Sequence, residues 1–205
     1  MIKIDIRGIK ALTDHLDFTA KEIAKITRNA TDGTATAVKN LAAKEAIKVY
    51  NIERKRLITD NRGRSTVYVK RTTQAQPFAV VTFRAGQNAK DGDRPGLQHY
   101  ALKGSLKRGP GLYPSYQIKR NGPVRSAYPS FFIRFKKTGG EGIVDKHPAA
   151  VTSEGKRKLV RRTGPNLKQM MEKDIKVVVL EQGHVIFFEK LRTQIAKLLK
   201  KKASQ

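Results

Sequence analysis

Four histidines, His15, His99, His147 and His184, are the side chains best suited to metal or acid–base chemistry, and their spacing offers little. No HExxH occurs, no two lie four residues apart, and there is no cysteine to add a thiolate. Neither a zinc site, nor a cysteine nucleophile, nor a disulfide framework is expected. Asp91-Gly92-Asp93 has the residue types to hold a cation in a nuclease, but its neighbourhood lacks the further acids such a site requires. The glycine-rich stretches 104–111 and 139–142 do not open a helix after a strand, and Gly155-Lys156-Arg157 lacks the Ser or Thr of a phosphate loop; turns are expected there. With 17 Asp and Glu in 205 residues, no grouping supplies an acid, a base and a nucleophile together. The expectation is a protein that is not an enzyme and takes no cofactor.

The cations say more. There are 43 Lys and Arg, a formal net charge of +26, and the surplus climbs from +3 over residues 1–50 to +9 over residues 151–205. Such a field repels copies of itself and attracts a polyanion, because each phosphate neutralised by Lys or Arg releases condensed counterions. Arg54, Lys55 and Arg56, then Arg62 and Arg64, then Lys70 and Arg71 are the candidate nucleic-acid-binding residues, read as one positive face. Tyr100, Tyr113, Tyr116 and Tyr128 interleave with Lys103, Lys107, Arg108, Lys119, Arg120 and Arg125, a mixture that suits protein contact first and base stacking second. No RNP-type aromatic motif or zinc-finger spacing is present, so double-stranded DNA is expected to be held by its phosphate backbone without sequence readout.

These residues need a scaffold. At 39% hydrophobic the chain can build a core, and no apolar run approaches the ~18 residues of a membrane span, so no membrane partner is expected. The start lacks the unbroken apolar stretch of a secretory signal, which predicts synthesis that ends in the cytoplasm. Ile2, Ile4 and Ile6 alternate like a short strand, although Ile9, Leu12 and Leu16 switch to helical spacing. Residues 10–58 read as helical. Within them the small-residue stretch 29–37, with Gly33, is either a close-packed contact or a break. Residues 65–162 read as β-rich with long loops, including a hairpin of 65–70 with 78–83 and another of 131–136 with 142–146 around Gly139-Gly140. Residues 167–202 read as a long helix with an apolar stripe and Gly183 as a candidate kink. Lys197 and Lys200 to Lys202 at its end suit the negative helix pole as well as DNA. The fold class expected is a single α+β domain over 1–205: an antiparallel β-sheet with a long N-terminal helical region and a long C-terminal helix.

The run Arg157-Lys158-Leu159-Val160-Arg161-Arg162-Thr163-Gly164-Pro165-Asn166-Leu167-Lys168-Gln169-Met170-Met171, followed by that helix, resembles the signature of the minor tail protein Z family, the tail completion proteins of tailed bacteriophages. Its core is Gly164-Pro165, three residues, then Gln169-Met170. The small-residue N-terminal helix, the basic exit 53–56 and the two hairpins follow in similar order, whereas Thr163 stands where the pattern has an aromatic and the loop 88–128 departs from it. The resemblance implies a structural virion protein of the neck. It would form a homo-oligomeric, hexameric ring at the head-proximal end of the tail, beside the tail terminator and tail tube proteins and the head-side connector proteins, with DNA in a basic lumen. It also implies that Gly164-Pro165 stops a strand and sets the entry of the last helix, that Met170 packs beneath it and that Gln169 bonds a neighbouring backbone, in a segment that would serve as a subunit contact. The same motif reads equally as a plain helix start, proline being favoured in the first turn. The alternative function is a free-standing, sequence-nonspecific nucleic-acid-binding protein of ribosomal or nucleoid type.

Overall fold

Thirty residues without a proline, with alanines and threonines along one side, form the helix α1 (Ala20–Val49). Its start is fixed by reciprocal bonds: the Glu22 carboxylate accepts from the Thr19 backbone N–H at 2.8 Å, and the Thr19 hydroxyl accepts from the Glu22 N–H at 3.3 Å. The computed structural model describes residues 2–4, 18–59, 65–73, 76–84, 95–102, 113–134 and 141–204, with the backbone alone at 2–4 and 147–149. Residues 10–17 of the expected helical region lie outside these. The fold is α+β, and the strand pairs among the described residues are antiparallel. The chain divides into two compact units, one of residues 1–45, 67–84 and 172–205, the other of 46–66 and 85–171.

The first unit joins α1 to the C-terminal helix α4 (Lys176–Ala203) and a three-stranded sheet. Ile26, Ala30 and Leu191 are buried together, with Phe18, Ile23, Phe187, Ile195 and Leu198 packed around them. The small-residue stretch is therefore a close contact and not a break. A Cβ on Gly33 would stand 3.0 Å from Cδ of Lys190, and one on Gly183 would stand 3.3 Å from Cγ2 of Val38. Gly183 thus serves as a contact point of α4 in a helix that runs on without interruption. The sheet, ordered β1 (Ile2–Ile4), β3 (Ala79–Phe83), β2 (Val67–Lys70), contains the first expected hairpin with Val67 opposite Phe83 and Lys70 opposite Val80. Ala79, Val81 and Phe83 are buried while Thr82 is exposed, the alternation of a sheet with one face on a core.

The second unit is assembled from short pieces. α1 ends at Val49, where Tyr50 turns into an antiparallel bridge with Lys119. The Asn51 N–H donates to the Ile118 carbonyl at 2.9 Å, and the Arg120 N–H to that of Val49 at 2.9 Å. The expected continuous helix to residue 58 is thus broken at 50–53, because the backbone there bonds to a distant segment. The short α2 (Arg54–Ile58) follows, anchored by buried Leu57. β4 (Ser115–Tyr116) pairs with β5 (Arg125–Ser126), and β6 (Phe131–Arg134), β7 (Glu141–Val151) and β8 (Arg157–Arg161) form a sheet in that order. Phe131 opposite Val144 sets the register of the second expected hairpin. The short helix α3 (Leu167–Met170) continues through one π-helical turn, Met171–Ile175, towards α4.

Candidate nucleic-acid interface

Arg54, Lys55 and Arg56 are all exposed on α2. Three consecutive helical residues point about 100° apart, so they fan around the helix and do not share one face. The charge of Arg56, with that of Arg161, opposes protonation of His99. Burial of the imidazole contributes most to this, Glu53 pulls the other way, and the outcome is a histidine pKa lowered to about 4. Hydrogen bonding agrees. Nε2 of Gln98 donates to the Glu141 carbonyl at 2.8 Å, which fixes the amide, and lies 3.3 Å from Nε2 of His99, which must be unprotonated to accept. His99 is therefore a neutral, half-buried residue of the second unit.

Arg62 and Arg64 lie outside the described residues, as do Asp91, Asp93, Lys103, Lys107, Arg108 and His15. Lys70 and Arg71 are exposed at the end of β2, in the first unit, whereas Arg54 to Arg56 belong to the second. The residue after Arg71 turns inward. Thr72 is buried, its backbone N–H donating to Oδ1 of Asp32 at 2.8 Å. Lys21, Lys25 and Arg28 of α1, together with Thr72, Thr73 and Pro77, line a cavity of about 460 Å³. These three cations are not among the basic residues singled out from the sequence. Their spacing of four and three residues along a helix is the signal that could have found them, since it stacks side chains on one face. Beside Lys21 in the first turn of α1, Glu22 pairs with the C-terminal helix: Lys202 lies 3.3 Å from its Oε2 and 5.1 Å above the Phe18 ring. The Glu22 carboxyl is held below its usual range, chiefly by the Thr19 backbone N–H and then by the Thr19 hydroxyl and Lys202. Lys202 thus has a local partner.

The Gly164 to Met170 segment is built into the second unit. The Gly164 N–H donates to the Pro95 carbonyl at 2.8 Å and the Leu97 N–H to that of Arg162 at 3.1 Å, so residues 95–97 pair with 162–164 after β8 ends. Tyr100 covers Gly164 so closely that a Cβ there would lie 2.3 Å from Cε2 of the ring. The Tyr100 hydroxyl donates to the Pro165 carbonyl, and burial pushes its pKa well above that of an ordinary phenol. Asn166 then caps α3: its Oδ1 accepts from the Gln169 N–H at 3.0 Å, while Oε1 of Gln169 accepts from the Asn166 N–H at 3.1 Å. Gln169 therefore bonds the backbone of its own helix start. Pro165 precedes the cap residue and is not the first-turn proline of a plain helix start. Met170 is fully buried.

No family model, curated protein or solved structure matches this chain. The aromatic set separates on inspection. Tyr100 is a core residue and cannot stack on a base, whereas Tyr113 and Tyr128 are exposed and meet edge to face at 4.7 Å, near β4 and β5. Lys119 sits 5.8 Å over the Tyr50 ring, in the same segment that bridges to it. Among the described residues no group of three or more His, Asp or Glu could hold a metal ion, and no helix is long and apolar enough to cross a membrane.

Proposed function

We propose that this protein is a structural, non-enzymatic component of a phage virion, a tail completion protein of the minor tail protein Z kind. In this reading it forms a ring, of six copies in the family pattern, at the head-proximal end of the tail. It joins tail terminator and tail tube to the head-side connector and accommodates double-stranded DNA through phosphate contacts. What supports the reading is the Gly164-Pro165 and Gln169-Met170 run. Each of its residues meets a separate demand of one turn: no side chain beneath Tyr100, a carbonyl for its hydroxyl, a capping amide and a buried thioether. The net charge of +26 supports the DNA contact, because phosphate neutralisation is the sequence-independent part of binding.

Purified virions tested by mass spectrometry and labelled at the neck should contain the chain; its absence from mature particles would refute the virion assignment. Duplex binding by the purified protein should weaken steeply with salt and vary little with sequence. Replacing Arg54, Lys55 and Arg56 together by alanine should flatten the plot of log affinity against log salt by up to about 0.9 for each phosphate no longer neutralised. An unchanged slope moves that cluster to a protein interface. Salt-dependent binding by a protein absent from the virion favours the free-standing nucleic-acid binder.

A further inference from the structure

Lys21, Lys25 and Arg28 occupy one face of α1, and no ion pair within the described residues neutralises them. Opposite them stand Thr72 and Thr73, from the turn that leaves β2. Thr72 is 3% exposed, and its Oγ1 is buried with no hydrogen-bond partner among the described residues. Its backbone is fixed by the bond to Asp32, one helical turn beyond Arg28, so that carboxylate is engaged with the turn. A buried hydroxyl ordinarily finds a partner, and Thr72 lines the cavity together with the three cations.

We propose that this cavity binds a phosphate group, supplied either by the sugar–phosphate backbone of a nucleic acid or as a free phosphate. A carboxylate offers two oxygens; a phosphate offers more, enough for Lys and Arg charges and a hydroxyl at once. The volume of about 460 Å³ falls in the range of small-ligand sites and leaves room for the sugar that a backbone phosphate carries, against Ala24 and Pro77. The nucleic-acid source rests on the DNA-binding reading proposed above; the phosphate chemistry does not.

The test titrates the full-length protein with inorganic phosphate and, separately, with a short DNA duplex, following the backbone amides of Thr72 and Thr73 by NMR. Both probes should shift these amides. Lys25→Ala combined with Arg28→Ala should weaken both interactions about tenfold and flatten the duplex salt slope by about 0.9, the value for one phosphate. Thr72→Val should weaken them severalfold, whereas Thr72→Ser, which keeps the hydroxyl and guards against a folding artefact, should bind like the parent. Amides that move with neither probe, or folded variants that bind phosphate as tightly as the parent, overturn the site. Steep salt-dependent duplex binding that leaves Thr72 and Thr73 unmoved overturns the site alone and leaves backbone binding standing. Shifts with inorganic phosphate but no duplex binding uphold the site and refute the DNA-binding reading.

Discussion

Glycine has opposite meanings in the two units. In the first, Gly33 faces the methylenes of Lys190, the far end of a flexible side chain whose stem can give way. In the second, Gly164 lies under the ring of Tyr100, which is fully buried and tied by its hydroxyl to Pro165. The first unit is held by regular elements meeting along their length, and its packing absorbs small changes. The second has its β6-β7-β8 sheet, but its other segments are tied in by single bonds between stretches far apart in sequence, such as Nε of Arg120 to the Ile47 carbonyl at 2.8 Å. A fault there has no repeating neighbour to share it.

The sharpest way to break this contrast is Gly164→Ala. Overpacking a filled core costs typically 1–3 kcal/mol. With a ring that cannot retreat, the variant should lose about 3 kcal/mol or more, read by urea denaturation. A loss below about 0.5 kcal/mol would mean that Tyr100 moves freely and that the second unit is as tolerant as the first. Tyr100→Phe combined with the same change should not rescue it, because the clash is with the ring and not the hydroxyl.

Next in size is the pH response of the second unit. His99 has a folded-state pKa near 4, below its ordinary value of 6.5. The unfolded chain therefore binds this proton more readily, and stability should be full above about pH 6.5 and fall as pH drops towards 4. Discounted for the solvent screening of a half-buried ring, the shift corresponds to roughly 1–2 kcal/mol. His99→Gln should remove the part of the decline between pH 6.5 and 5.5, where carboxylates contribute little. Identical pH curves for parent and variant would show that His99 protonates in place.

The first unit was also the more legible in sequence, for the same reason. Helical spacing and the absence of proline located α1 and α4, and β-branched runs located β2 and β3, because local pattern and tertiary partner agree there. The break at Tyr50 was not legible: its partner Lys119 is far along the chain, and nothing local to 50–53 announces a bridge. Tyr100 misled because a tyrosine among cations has the same letters whether it faces water or Gly164. Gly164-Pro165, by contrast, marked the end of one element and placed the start of the following helix at Leu167, where the structure has it; the capping box of Asn166 and Gln169 that fixes this start was a spacing not read from the sequence. Of the basic residues singled out, Arg56 has a definite charged neighbourhood around His99, whereas the stripe 21, 25, 28 had the clearer helical periodicity and lines a cavity.

Asn166→Ala tests whether that capping box matters as much as its geometry implies. Losing an N-cap side chain costs typically about 1 kcal/mol, and here Gln169 would also lose its reciprocal role. A loss of that size, with Asn166→Ser restoring most of it, is expected; no loss would assign the entry angle of α3 to Tyr100 and Gly164 alone.

The smallest change completes the comparison. Gly33→Ala places a methyl 3.0 Å from Cδ of Lys190, a clash relieved by a few tenths of an ångström of movement in a long side chain. Against that stands the helix preference for alanine over glycine, about 1 kcal/mol in an exposed interior position. Gly33→Ala should therefore be neutral or stabilise by up to about 1 kcal/mol, with a raised melting temperature at unchanged helix content. If it destabilises as Gly164→Ala does, then α1 and α4 meet as tightly as the ring and turn of the second unit. The small-residue stretch 29–37 would then be a fitted joint in which even the lysine stem has a fixed place.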